Sequence, residues 1–98
     1  MYTKYQIALQ YSPELDKNSV LAVRRLRIRI DRCTDLRRIL VLTGSKRYNK
    51  KFTSQQVRLI YHYLGKPPFP CDDSTLFDNY ILQENDYNLI KYSLEQNN

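Results

Sequence analysis

Ninety-eight residues hold only two glycines, Gly44 and Gly65, and each follows a run of helically spaced apolar residues. Glycine has no Cβ, so it enters the left-handed conformation that closes a helix. An all-β chain of this length would need more glycines for its tight turns. Helix starts are equally legible. Thr3-Lys4-Tyr5-Gln6 and Thr53-Ser54-Gln55-Gln56 share the spacing of a capping box, in which the Thr and Gln side chains satisfy each other's free backbone donors. The fold class read from these signals is mainly α.

The first helix carries Ile7, Ala8, Leu9 and Tyr11 and stops before Pro13, because the residue preceding a proline avoids the helical region. Asp16 or Asn18 caps a second helix that runs to about Asp31. Its stripe is Val23, Leu26 and Ile30, with Arg24, Arg25, Arg29 and Arg32 on the far side. The stretch Arg25-Leu26-Arg27-Ile28-Arg29-Ile30 also alternates as a half-buried strand would. Helix is the preferred reading, since Ser19 to Val23 continues the helical spacing upstream with no Gly or Pro between. A third helix begins at Thr34 or Asp35 and carries Leu36, Ile39, Leu40 and Leu42 up to Gly44. Residues 45–52 are basic and read as a loop or a small hairpin-like wing. Val57, Ile60, Tyr61 and Leu64 give the face of a fourth helix, which ends at Gly65 and is sealed by Pro67-Pro68.

The four short helices form a helix-turn-helix, winged-helix-like core over residues 1–67. Residues 68–98 are a Pro-rich linker and an acidic, aromatic tail. In that tail Asp72 to Thr75 could cap a short helix bearing Leu76, Phe77, Tyr80 and Ile81. Asn85 or Asp86 could open another, with Tyr87, Ile90 and Leu94 as its stripe. So many apolar side chains are too large a patch to leave in water. The tail is expected to fold as helix against the body or against a dimer mate.

Charge divides the chain at the same place. Residues 1–70 carry 15 Lys/Arg against four acids, a net of +11, whereas residues 71–98 carry Lys91 alone against six acids, a net of −5. A basic body attracts polyanions: nucleic acid, an anionic membrane surface or an acidic protein. The membrane ranks last, because no basic amphipathic segment displays bulky aromatics. The longest aliphatic run, Ile39 to Leu42, is far short of the roughly twenty residues of a membrane span. No leader-like segment opens the sequence, so a cytoplasmic location is expected. Two cysteines and one histidine make neither a disulfide framework nor a four-ligand zinc site. Nothing resembles a Gly-rich phosphate loop, a nucleophile with its base, or a catalytic carboxylate pair. The expectation is a non-enzyme without metal or cofactor. His62 reads as a surface residue on the fourth helix, and Cys33 and Cys71 as junction and linker residues.

Several of these segments also carry a family likeness. Gln6-Ile7-Ala8-Leu9-Gln10-Tyr11-Ser12-Pro13 resembles the Glu-Leu-Ala-x-x-Tyr-x-Pro opening of a family of small uncharacterised Bacteroides proteins, a domain of unknown function. Phe52 to Ile60, followed by Leu64-Gly65-Lys66-Pro67, is similar to that family's closing Thr-Pro-x-Gln and Leu-Gly-x-Pro. Ala22, Leu26 and Ile30 match its central helix, and Leu36, Leu40 and Gly44 its third. Gln6 replaces the family's acid, Arg29 its Trp, Ser45 its Tyr and Ser54 its proline. The matched positions are mostly caps and core, so the resemblance implies a fold and brings no activity with it.

The strongest functional signal is Arg24, Arg25, Arg27, Arg29, Arg32, Arg37 and Arg38, seven arginines in fifteen residues with no lysine among them. The guanidinium fork grips a phosphate, or the O6/N7 edge of guanine, with two hydrogen bonds. In a helix-turn-helix the second helix enters the major groove. Here that helix is residues 17–31, presenting Arg24, Arg25 and Arg29. Lys46, Arg47, Lys50 and Lys51 on the basic loop would lie along the flanking backbone, adding affinity without sequence information. The function expected is binding of double-stranded DNA, as a monomer or a homodimer, by a small regulator or a mobile-element accessory factor. The alternative is a non-enzymatic interaction module whose basic face docks an acidic protein.

Overall fold

Both capping boxes close in the computed structural model, which describes residues 2–44, 50–67 and 81–95. Thr3 accepts from the Gln6 amide at 3.1 Å while the Gln6 side chain accepts from the Thr3 amide at 2.9 Å. They open α1, Lys4–Tyr11. A single 3-10 turn, Pro13–Leu15, follows where proline halts α1. Asn18 rather than Asp16 caps α2, Ser19–Arg32, its side chain accepting from the Leu21 amide at 3.1 Å. Cys33 alone separates α2 from α3, Thr34–Leu42. The alternating arginine stretch is therefore helical. Gly44, at φ 86°, stands just past α3 in the left-handed region that glycine tolerates best.

Residues 45–49 of the basic loop lie outside the described residues, and the residues that follow them pair with the start of the chain. Tyr2–Thr3 forms β1 and Lys51–Phe52 forms β2, and the two run antiparallel with Tyr2 opposite Phe52 and Thr3 opposite Lys51. Lys4 adds a bond from its amide to the Lys50 carbonyl at 3.0 Å. The reason is burial. Phe52 is driven into the core, and the N-terminal segment supplies a free backbone edge beside it.

Thr53 then caps α4, Ser54–Leu64, with the second box. Val57, Ile60 and Tyr61 are buried as expected, but Leu59 is buried too while Leu64 is only half-buried. The core that surrounds α4 comes from α1 (Ile7, Ala8, Tyr11), α2 (Ala22, Leu26) and α3 (Leu36, Ile39, Leu40). Tyr11 also donates from its hydroxyl to the Gly65 carbonyl at 2.6 Å, tying the end of α1 to the end of α4. His62 is exposed, its ring edge-on to Tyr63.

The last described element, α5 (Glu84–Glu95), packs on α3 and α4. It starts slightly ahead of the expected caps, and Asp86 is not its cap residue. From inside the first turn the Asp86 carboxylate reaches back to accept from the Gln83 amide at 2.8 Å. The expected stripe is also rotated. Asp86 and Ser93 are buried, Leu89 and Ile90 pack against the core, and Tyr87 and Leu94 are exposed. The expected helix opened by Asp72 to Thr75 lies outside the described residues. Its last apolar position, Ile81, is exposed. The result is a mainly helical fold of five helices and one two-stranded sheet among the described residues.

Candidate functional site

The arginines of α2 and α3 do not share one face. Successive residues on a helix turn by about 100°, so Arg24 and Arg27 leave α2 on one side of the core stripe and Arg25, Arg29 and Arg32 on the other. On that second side Arg25 lies 3.1 Å from Glu14 in an exposed ion pair. Arg29 sits over the Tyr11 ring, 5.7 Å from its centroid. Arg32 is exposed at the end of α2. On α3, Arg38 lies 3.7 Å from Asp35, an ion-pair distance longer than a hydrogen bond.

Arg24 and Arg27 instead face an open groove of about 1180 Å³. Arg37 reaches it from α3, Lys4 from the start of α1 and Lys50 from the residue before β2, while Asp31 is the one acid on its walls among the described residues. Among the described residues, no carboxylate stands within ion-pair distance of Arg24, Arg27, Arg37 or Lys50. The floor and rim are apolar. Val23, Leu26, Ile30 and Leu40 contribute from the edge of the core, and Val20 and Val41 are 79% and 65% exposed. Tyr5 presents a half-buried ring at the same groove, its hydroxyl donating to the Asp16 backbone carbonyl.

Lys4 reports the electrostatic character of the place. Its Nζ lies 5.4 Å from the centroid of the Phe52 ring. Partial burial, and then the nearby Arg27 charge, hold its pKa below the ordinary lysine value of 10.5. Both causes disfavour the charged amine, and an anion in the groove would offset both.

Five of the expected residues are thus found elsewhere than the groove: Arg25, Arg29, Arg32 and Arg38 on the sides of α2 and α3, and Lys51 exposed on β2. Lys46 and Arg47 lie outside the described residues. Lys4 was missing from the expected set. It shows no spacing relation to the arginines in sequence, and only the pairing of β1 with β2 brings it beside Lys50. Arg58 was overlooked as well. Its guanidinium bonds Asp86, at 2.6 Å from Nε to Oδ2 and 3.3 Å from Nη2 to Oδ1.

Among the described residues no three His, Cys, Asp or Glu side chains cluster as a metal site would require. No helix there is long and apolar enough to cross a membrane.

What fold and groove define is a small, mainly helical protein with a concentrated cationic surface beside its N-terminal sheet. The chain belongs to the DUF4248 family, a domain of unknown function that matches residues 1–67. That match takes in every residue of the groove and leaves α5 outside it. Comparison with curated proteins and with solved structures finds no match.

Proposed function

We propose that this protein binds nucleic acid, as a small DNA-associated regulator or mobile-element accessory factor. The observation that carries the reading is the groove, where, among the described residues, five cations from α1, α2, α3 and the β2 approach meet a single acid. Phosphate contacts supply most of the non-specific affinity for nucleic acid, and a cluster of cations of this density is what makes them. In outline the fold is helix-turn-helix-like. Helix α2 is the nucleic-acid-facing element, closely followed by α3, and Lys50 flanks it from just ahead of β2.

Fluorescence anisotropy with a labelled DNA duplex and a labelled single strand tests the reading. Neutralising about five phosphates gives log K against log salt a slope near −4.5 on duplex. Absence of binding to either probe at about 50 mM salt sinks the proposal. An acidic protein captured in an arginine-dependent way by a chain indifferent to DNA would favour a docking module instead.

A further inference from the structure

We infer that the groove is built for a single strand rather than a duplex, with phosphates on its cations and bases against its apolar floor. This rests on the nucleic-acid reading and specifies its ligand. Duplex readers push a convex element into the major groove. On the side of α2 away from the groove, Arg25 and Arg29 are engaged by Glu14 and by the Tyr11 ring. Arg24 and Arg27 face a concavity instead.

The concavity is also more apolar than phosphates need. Val20 and Val41 lie largely exposed at a strongly cationic site, and a duplex, which keeps its base faces stacked inside, has nothing to cover them. A single strand presents both chemistries together: a backbone of anions and splayed bases with apolar faces. Tyr5 supplies the aromatic surface. The bond from its hydroxyl to the Asp16 carbonyl holds the ring at the groove before any ligand arrives. Lys4, crowded by burial and by Arg27, stands immediately before it in the chain.

The test compares an oligothymidine and an oligouridine of about twelve nucleotides, within the usual range of single-strand site sizes, against a duplex of equal length. Inorganic polyphosphate serves as a base-free competitor. The single strands should bind at least about tenfold tighter than the duplex, the effect of one stacked base. Tyr5→Leu should remove about tenfold of single-strand affinity, whereas Tyr5→Phe, which keeps the ring, should lose much less. Val41→Ser, at a position 65% exposed, should weaken single-strand binding. Equal or tighter duplex binding overturns the single-strand inference while leaving the nucleic-acid reading intact. Polyphosphate competing as well as oligothymidine, phosphate for phosphate, overturns it also. Failure of every nucleic acid to bind at about 50 mM salt overturns both.

Discussion

Asp86, wholly buried on α5, is held by the Arg58 guanidinium of α4 across 28 residues of sequence. Arg58 is itself only 10% exposed at the side chain, so both charges have left water. Removing one partner of such a pair strands the other. Asp86→Ala should cost about 3–5 kcal/mol, whereas replacing both residues with leucine should be far milder, because no buried charge then lacks a counterion. Urea unfolding of the two variants decides this, and equal losses in both would show that the pair is not what fixes α5.

The same carboxylate sets an acid limit. Burial pushes its pKa up, but the hydrogen bonds from Arg58 and the Gln83 amide, with the Arg58 charge, bring it to a net value below the ordinary 3.8. A carboxylate whose folded pKa is depressed binds fewer protons folded than unfolded. Its contribution is present in full above the unfolded value and is lost as pH falls through the folded one. Stability should therefore decline as pH drops below about 3.8, and Asp86→Asn should flatten that decline. Urea midpoints followed from neutral pH downwards give the comparison.

The two capping boxes look alike in sequence and should not behave alike. Gln56 is buried, and besides accepting from the Thr53 amide it donates to the Thr43 hydroxyl at 3.0 Å, which donates in turn to the Leu40 carbonyl at 2.6 Å. Gln6 is only half-buried, and among the described residues its side chain bonds only to Thr3. Gln56→Ala should cost about 1–3 kcal/mol, since two hydrogen bonds, to the Thr43 hydroxyl just past α3 and from the Thr53 amide, are lost at about 0.5–1.5 kcal/mol each. Gln6→Ala should cost about 0.5–1 kcal/mol. Thermal melts of the two single variants check the order, and a reversed order would refute it.

Local signals carried the helices into view because each is written in a few adjacent residues: the Thr-x-x-Gln boxes, Asn18, Pro13, Gly44 and Gly65. What they could not carry is pairing at a distance. The reading of residues 45–52 as a loop or a small wing gave Lys51-Phe52 no distant partner, whereas Phe52 enters the core beside Tyr2-Thr3 from the start of the chain. The stripe expected on α5 followed the largest apolar residues, Tyr87, Ile90 and Leu94. A buried ion pair outweighed two of them, and an acidic residue reads as solvent-facing until its arginine is found. The arginine cluster was conspicuous as composition but not as geometry. Seven residues in sequence became a groove wall, an ion pair with Glu14, a ring contact with Tyr11, a contact with Asp35 and, at Arg32, an exposed helix end. That sorting depends on where α1 lies relative to α2, which no spacing within α2 encodes.

It also supplies the most direct test of where a polyanion sits. Arg24→Gln and Arg27→Gln each remove one groove cation, so each should reduce the magnitude of the salt slope by about 0.7–0.9, the share of one phosphate contact. Arg25→Gln and Arg29→Gln remove the same formal charge from the other side of α2, where Glu14 and Tyr11 already engage it. Their slopes should stay close to that of the unaltered protein. Stability does not confound the comparison, because an exposed pair such as Arg25 with Glu14 is worth only about 0–1 kcal/mol. Anisotropy titrations at four or more salt concentrations separate the two outcomes. A slope that falls equally for all four variants would place the polyanion across the whole of α2, and one that falls only for Arg25 and Arg29 would move the interface to the opposite side of the helix.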